Sequence, residues 1–396
     1  MYRNEVEDQY KEHNINAKFP KGFLWGASTS AYQVEGGIEN NDWAVAAREG
    51  KFPAAGVACD HYHRFDEDFS IAESLGHTAH RLSIEWARIE PKEGEFDEKE
   101  IEHYRKVLVS LQQHRLEPFV NLWHYTVPIW FAQKGGFEHK DASIIFARYM
   151  AHVMTRLGGE ATFWLTLNEP MVYATASYFG GKWPPFKRNF FTFMKIQSRL
   201  ALAHNLAYDT VKKISPHTQI GIAKNNMYFA SDGKWWNNLA KHFMDWFWNE
   251  RFLNTIDEHQ DFIGLNHYFY KKFGKKEKLP QSDRGWDIFP EAIYHCLIEL
   301  KKYKKPLYVS EHGIADETDT KRGDFIKNYL YFVKKAIDEG TDVRGYFYWS
   351  LLDNFELEEG FTKKFGLVAV DPVTLQRMIR PSAFVYKEFI ETHSTL

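Results

Sequence analysis

Short apolar runs alternate with stretches of helical periodicity along this chain of 396 residues. The runs have the length of buried strands, and the stretches between them carry apolar positions three and four residues apart. Eight such runs lie at residues 23–27, 79–84, 118–122, 163–167, 220–223, 262–265, 307–309 and 345–348. Alternating strands and helices form parallel β/α units, and eight units close into a barrel. We predict an α/β fold, a (β/α)8 TIM barrel, with residues 1–396 forming a single domain.

One helical stretch is unusually rich in aromatic residues. Its apolar positions are Trp236, Leu239, Ala240, Phe243, Trp246 and Phe247. This spacing predicts an amphipathic helix whose apolar stripe packs on the barrel. A lysine-rich stretch follows at residues 271–278, and we expect it to be a solvated surface loop.

Two apolar runs are each followed by a glutamate, Glu169 and Glu311. Pro170 and Gly313 mark sharp exits from these two strands. A single glutamate in such a place is most often an ion-pair partner, but two at the carboxyl ends of barrel strands are candidates for catalysis, since that face carries the active site.

Composition excludes several classes of partner. The net charge is −3 with both signs well mixed, so we expect neither a nucleic acid nor a lipid surface as partner. No run of 18 apolar residues occurs, and residues 1–14 are polar, so we expect a cytoplasmic protein without a membrane segment. The aromatic content of 17% is compatible with a sugar-binding cleft.

Cysteine and histidine positions give no support for a metal or redox site. Cys59 and Cys296 are far apart in sequence, so we expect free, buried thiols. His61 and His63 lie near Asp60 and Asp66 without a recurring ligand spacing, and we expect structural roles for them. We therefore expect no metal and no cofactor.

Two carboxyl groups that face each other across a cleft suit glycoside hydrolysis. One protonates the departing oxygen, and the other attacks the anomeric carbon or activates water. The sequence does not fix the distance between Glu169 and Glu311, so both stereochemical outcomes stay open at this point.

Several motifs give the chain a resemblance to family 1 glycoside hydrolases, the β-glucosidase and β-galactosidase type, from residue 19 to about 389. They lie at residues 19–36, 81–91, 166–170 (Thr-Leu-Asn-Glu-Pro), 261–268 and 345–356. The resemblance implies a retaining β-glycosidase that acts on small β-glycosides or oligosaccharides through a covalent glycosyl-enzyme intermediate.

The resemblance also implies a role for each matching residue. Glu169 corresponds to the general acid/base and Glu311 to the nucleophile. Arg81 and Tyr268 correspond to the groups that hold the nucleophile, and Asn168 to the residue that binds the 2-hydroxyl of the sugar. The remaining implied substrate-binding residues are Gln33, His124, Asn266, Trp349 and Glu356.

The chain departs from the family pattern at His312, His267 and Leu357, which replace the usual Asn, Tyr and Trp. We predict that Leu357 weakens ground-state binding of glucose. The chain is also short between residues 40 and 57 and between residues 223 and 261. We expect the flank of the barrel at residues 223–261 to be thin or mobile. The cleft is then more open on that side, or a second subunit covers the exposed surface.

The sequence also allows three alternatives to a β-glycosidase. A phospho-β-glycosidase is disfavoured because the carboxylate of Glu356 would repel a phosphate dianion. A catalytically weak sugar-binding barrel is disfavoured because the matching carboxylates are intact. A transglycosylase shares the same intermediate and stays open, as does the choice among glucose, galactose and fucose.

Overall fold

The computed structural model describes residues 18–395 of the chain. Eight parallel strands close into a barrel in sequence order, which confirms the predicted (β/α)8 fold. They are β1 Leu24–Ser28, β2 Ala79–Ser83, β3 Glu117–Asn121, β4 Phe163–Asn168, β5 Gln219–Asn225, β6 Phe262–Asn266, β7 Leu307–His312 and β8 Val343–Trp349. Each predicted run lies on one of these strands, and no boundary differs by more than three residues.

Helices surround the barrel and fill the connections between its strands. They are α1 Ala31–Val34, α2 Asp42–Arg48, α3 His61–Ser74, α4 Trp86–Ile89, α5 Glu98–Gln113, α6 Ile129–Gln133, α7 Ala142–Leu157, α8 Pro170–Ala174, α9 Phe190–Ile214, α10 Trp235–Met244, α11 Arg251–Ile256, α12 Glu291–Leu300, α13 Arg322–Asp338 and α14 Pro381–His393. Two π-helical turns, Thr175–Phe179 and Asp245–Glu250, continue α8 and α10. Two small sheets pair Tyr228–Ser231 with Tyr270–Phe273 and Val368–Val370 with Arg377–Ile379.

An aromatic cluster fills the interior of the barrel. Phe119 lies at its centre, with ring centroids 5.0 Å from Phe163, 5.2 Å from Phe262 and 5.0 Å from Phe347. Because side chains alternate along a strand, inward-facing positions recur every second residue. Between this aromatic cluster and the carboxyl ends of the strands, the inward-facing positions therefore line the mouth of the barrel. They carry the polar residues described below.

The predicted packing of the aromatic helix on the barrel is wrong. None of the residues of α10 is buried, and Trp235, Trp236 and Leu239 are 71%, 52% and 64% exposed. The polar side of the helix faces the protein instead, where Asn237 donates to Asp232 over 2.7 Å and Asn238 contacts Ser231. The apolar stripe consequently faces outwards. The amphipathic period was correct, but it did not specify which face meets the protein.

The other structural expectations have mixed outcomes. Cys59 and Cys296 are free and buried, as predicted. Of the lysine-rich stretch at residues 271–278, residues 271–273 belong to the strand Tyr270–Phe273, contrary to the predicted loop, and the remainder is a surface loop; most of its lysines are exposed. Residues 223–261 form strand and helical segments, so the flank is folded, and its mobility and the openness of the cleft stay predictions. Within residues 18–395, no helix is both long and apolar enough to span a bilayer.

His61 has a structural environment. Its Nδ1 lies 2.8 Å from Oδ2 of Asp68, and Arg377 donates to both oxygens of the same carboxylate over 2.8 and 3.0 Å. His63 instead forms an exposed pair with Asp60 over 2.6 Å. Among the described residues, no group of three His, Cys, Asp or Glu side chains is arranged to hold a metal ion.

Candidate active site

A cavity of about 470 Å³ opens at the carboxyl ends of the barrel strands. Seven of the ten predicted site residues line it, namely Gln33, His124, Glu169, Tyr268, Glu311, Trp349 and Glu356. The other three, Arg81, Asn168 and Asn266, are completely buried behind its wall. Arg81 contacts Glu311, Asn266 contacts Glu169, and Asn168 accepts hydrogen bonds from both Arg81 and Asn266. The structure therefore brings all ten residues together.

Glu311 is buried in β7, where Arg81 and Tyr268 contact both of its carboxylate oxygens. Nη1 of Arg81 donates to Oε1, and the hydroxyl of Tyr268 donates to Oε2 over 3.1 Å. Burial raises the pKa of Glu311 to about 7, Arg81 and Tyr268 oppose this rise, and the nearby charge of Glu169 adds to it. The two donors thus orient a carboxyl group that is shielded from water.

Glu169 directly follows β4 and has a left-handed backbone conformation, with φ 45° and ψ 58°. Its amide donates to the carbonyl of Ala223 over 2.8 Å, which fixes the turn against β5. The side chain accepts hydrogen bonds from neutral donors: the hydroxyl of Tyr125 contacts Oε2, and the amides of Asn225 and Asn266 donate to Oε1 over 3.1 and 2.9 Å. Since non-glycine residues seldom adopt this backbone region, the turn indicates a functional placement of the carboxyl group.

A buried hydrogen-bond network connects the two glutamates. Nη2 of Arg81 donates to Oδ1 of Asn168 over 2.7 Å, and the amide of Asn266 donates to the same oxygen over 3.0 Å. Ser310 in turn donates to Oδ1 of Asn266 over 2.7 Å and fixes the orientation of that amide. Nδ2 of Asn168 lies 3.4 Å from Nε2 of His124, on the cavity wall. The network holds Asn168 rigidly between the carboxyl groups and the cavity.

The far end of the cavity combines an indole with polar side chains. Nε1 of Trp349 donates to Oε1 of Glu356 over 3.1 Å, and the ring of His124 lies parallel to the indole at 5.9 Å. Gln33 donates to Asn354 over 3.0 Å, which fixes its amide at the cavity wall. A sugar presents C–H surfaces and hydroxyl groups, and this end of the cavity offers a complementary surface for both.

Burial also raises the pKa of Glu356 to about 7, and the cation of Arg284 opposes the rise. Arg284 lies on the cavity wall, 4.7 Å from the centroid of the Trp286 ring. It also approaches the carboxylates of Glu358 and Glu359, at 3.8 and 3.7 Å. Arg284 thus offsets the effect of burial on Glu356 only in part. This end of the cavity is therefore suited to neutral hydroxyl groups.

Of the three departures from the family pattern, only Leu357 lines the cavity. His312 points away from it, with Nδ1 2.8 Å from the hydroxyl of Tyr346. His267 is also buried outside the cavity, with Nδ1 3.2 Å from the carbonyl oxygen of Asn226. The two histidines therefore occupy packing positions behind the strands.

Sequence analysis missed Tyr125, Asn225 and Arg284. Tyr125 directly follows the predicted His124 in sequence. Asn225 lies two positions beyond Ala223 on the same face of β5, so the alternation of side chains along a strand could have predicted it. Arg284 lies in an irregular loop between a strand and a helix, where no periodic pattern predicts which way a side chain points.

Two buried carboxyl groups on the wall of one cavity, at the carboxyl ends of barrel strands, form the arrangement that glycoside hydrolysis requires. The fold and the site thus define a glycoside hydrolase. The model of "Glycosyl hydrolase family 1" matches residues 15–257 and 240–395. The chain therefore belongs to glycosyl hydrolase family 1, and it is a β-glycosidase.

Individual relatives agree with this assignment. The chain is 32% identical to beta-glucosidase A of Thermotoga maritima over 95% of its own length and 98% of the relative. That alignment has 438 positions, more than the 396 residues of this chain, which is therefore a shortened member. A solved beta-glycosidase from Pyrococcus horikoshii superposes with a TM-score of 0.88 at 34% identity, covering 96% of this chain and 99% of the other.

The Thermotoga maritima beta-glucosidase has also been solved in complex with glucoimidazole. That structure gives a TM-score of 0.91 at 31% identity and covers 96% of this chain and 100% of the other.

Proposed function

We propose that the enzyme hydrolyses terminal β-glycosides with retention of configuration, by double displacement. Glu311 is the nucleophile and Glu169 the general acid/base. The chain acts as one catalytic barrel, and the reaction needs water but no metal or cofactor. Its substrates are small β-glycosides or oligosaccharides.

One observation carries the proposal, namely the contrast between the hydrogen-bond donors of the two glutamates. Glu311 accepts from a guanidinium, which favours the ionised form that a nucleophile needs. Glu169 accepts from a tyrosine hydroxyl and two amides, which are neutral donors. The two carboxyl groups thus have different hydrogen-bond donors, which supports different roles for them in the reaction.

In the first step, the carboxylate of Glu311 attacks the anomeric carbon while the bond from that carbon to the departing oxygen breaks. Glu169 gives its proton to that oxygen, and a covalent glycosyl ester forms. In the second step, Glu169 takes a proton from water as the water attacks the anomeric carbon. The ester bond breaks, and Glu311 leaves as a carboxylate.

The surrounding residues bind the sugar in this proposal. Asn168 binds the 2-hydroxyl, a contact that strengthens as positive charge develops on the ring. Gln33, His124 and Glu356 bind the other hydroxyl groups, and Trp349 covers a face of the sugar. Asn266 contributes to binding by orienting Asn168 and Glu169. Leu357 offers less stacking surface than Trp, so we expect weak ground-state binding of glucose.

A neutral sugar suits the site better than a phosphorylated one. Arg284 contributes a cation, but Glu356, Glu358 and Glu359 surround it with carboxyl groups. A phosphate dianion at this end of the cavity would face those carboxylates. We also propose a cytoplasmic location, which the free thiols of Cys59 and Cys296 support.

The proposal is tested with nitrophenyl β-glycosides of glucose, galactose and fucose and with one phosphorylated analogue. We expect turnover of a neutral glycoside by the wild type, a loss of at least 10³-fold in Glu311→Ala, and release of the β-anomer first. The surface variant Glu388→Gln is the control and keeps full activity. No turnover by folded wild-type protein, or release of the α-anomer first, contradicts the proposal.

Azide distinguishes the two glutamates. In Glu311→Ala, azide replaces the missing nucleophile and attacks the β-glycoside directly, so the product is the α-glycosyl azide. In Glu169→Ala, azide attacks the covalent intermediate, so the product is the β-glycosyl azide. The reverse assignment of products would exchange the two proposed roles.

A further inference from the structure

The outward stripe of α10 forms an exposed aromatic face, defined here as Trp235, Trp236, Leu239, Phe243 and Trp246. These five side chains are between 46% and 71% exposed. The polar side of the helix is meanwhile bonded to the protein. An amphipathic helix normally turns its apolar side inwards, so this orientation leaves a large apolar surface without a partner among the described residues.

The aromatic face continues onto the start of α9. The ring of Phe243 stacks on Phe247 at 5.9 Å, and Phe247 lies 6.1 Å from Phe193. Phe193 contacts Phe190 at 6.2 Å, and Phe190 contacts Phe191, which is 82% exposed, at 6.0 Å. Ring contacts through the buried Phe193 thus link the aromatic face with two exposed side chains of α9, Phe190 and Phe191, which are 52% and 82% exposed.

Positive charge borders this surface, although the whole chain carries a net charge of −3. Residues 271–278 contain five lysines and one glutamate, and residues 182–195 contain four basic residues and no acidic one. Two of these cations are paired, Lys272 with Glu277 and Lys187 with Glu138, and the others carry the excess positive charge. The lysine loop lies beside α10, because the amide of Lys275 donates to Asp232, which also accepts from Asn237 of that helix. Nζ of Lys234 lies 5.6 Å from the ring of Trp236.

We propose that the aromatic face docks the enzyme on an anionic lipid surface. Trp, Phe and Leu side chains enter the boundary between headgroups and acyl chains, and flanking lysines attract acidic headgroups. A second copy of the chain fits less well, because a two-fold contact through this face brings the same basic borders together. Docking of this kind is peripheral and requires no membrane-spanning helix. It revises the expectation, drawn from overall charge, that no lipid surface is a partner.

The docking surface adjoins the mouth of the active-site cavity. Trp248, two residues after Trp246, lines that cavity, and so does Gly180, which follows the exposed Phe179. The docking itself is independent of turnover, so its test stands apart from the test of the proposed function.

The experiment is sedimentation of the full-length protein with vesicles of phosphatidylcholine alone or with 30% phosphatidylglycerol. We expect binding to the anionic vesicles that weakens as salt is added. The variant Trp235→Ser/Trp236→Ser/Phe243→Ser should bind at least tenfold more weakly while keeping nitrophenyl glycoside turnover. The matched control Val373→Ser/Met378→Ser/Phe384→Ser, which also removes three exposed apolar side chains, should bind like the wild type.

Charge is tested separately. The variant Lys275→Glu/Lys276→Glu/Lys278→Glu should lose anionic binding at least tenfold, whereas Lys92→Glu/Lys99→Glu/Lys106→Glu, three exposed lysines elsewhere, should lose much less. Absence of wild-type binding to both kinds of vesicle overturns the proposal. So does equal binding by the aromatic and control variants. A wild-type dimer in light scattering that the aromatic variant dissociates, without any vesicle binding, assigns the face to a second copy instead.

Discussion

The hydroxyl of Tyr125 donates a hydrogen bond to Oε2 of Glu169, and both residues have left-handed backbone conformations, with φ 74° and 45°. Tyr125 belongs to the loop after β3 and Glu169 to the turn after β4, so two strained turns on neighbouring strands meet at one carboxyl group. Strain of this kind persists where the surrounding structure enforces it. The pair thus places Tyr125 among the residues that control the proposed acid/base.

Replacement of Tyr125 by Phe removes a hydrogen-bond donor that holds the carboxyl group of Glu169 in place. We expect Glu169 to be less well oriented for proton transfer, so kcat/KM falls about tenfold across its pH profile. Tyr62→Phe is the control, since it removes another Tyr–Glu hydrogen bond, to Glu100, outside the cavity. An unchanged kcat/KM in Tyr125→Phe would show that the contact plays no part in proton transfer.

The acid limb of the same profile should report Glu311, whose pKa burial raises to about 7 against the opposing effects of Arg81 and Tyr268. Catalysis needs the ionised nucleophile, so kcat/KM falls as the pH drops through this value. Tyr268→Phe removes a donor to the ionised form, and we expect the acid limb to move to higher pH with a loss of about tenfold in kcat. Tyr294→Phe, which breaks a surface hydrogen bond to Glu339, should leave the limb in place.

Leu357 lines the cavity in which we propose that the sugar binds. If an indole on a sugar face contributes as much as a pair of aromatic rings does, about 0.5–1.5 kcal/mol, Leu357→Trp should lower KM for a β-glucoside by about two- to twelvefold. Leu375→Trp is a matched control, because Leu375 also has a left-handed backbone, φ 58° against 51°, and lies outside the cavity. Equal KM values in the two variants would mean that Leu357 does not set glucose affinity.

The buried contact of Asp68 with His61 and Arg377 should stabilise the fold. Burial opposes ionisation of Asp68, but the hydrogen bonds from these two partners outweigh it and lower the pKa of the carboxyl group. Asp68→Asn leaves Arg377 without its charge partner, and we expect a loss of about 3–5 kcal/mol in urea unfolding at pH 7. Asp60→Asn, at the exposed pair with His63, should cost less than about 1 kcal/mol.

The pH dependence of this loss has a definite sign. A lowered pKa in the folded state contributes stability above the ordinary aspartate pKa of about 3.9, and that contribution disappears as the pH falls through the folded value. The difference between wild type and Asp68→Asn should therefore be constant near neutral pH and shrink in acid. A difference that stays constant down to strongly acid pH would assign the effect to packing rather than to ionisation.

The sequence by itself determined the barrel and most of its active site. Eight apolar runs of strand length fixed the strands, because a strand covered on both faces must be apolar throughout. Glu169 and Glu311 were identifiable because polar residues at the ends of such strands emerge at one face of the barrel. Asn225 followed the same alternation, but the predicted strand ended at residue 223, two residues too early.

Only the tertiary structure decided which side chains converge and which face of a helix meets the protein. Tyr125 and Arg284 reach the cavity from loops whose direction depends on turns and on packing by distant segments. The period of α10 predicted an apolar stripe correctly, but the bonds of Asn237 and Asn238 turned that stripe outwards. Periodicity specifies the angle between residues around a helix axis, whereas the direction of the stripe also depends on how the helix is placed. Asp232, the partner of Asn237, is itself held by the amide of Lys275, 43 residues away.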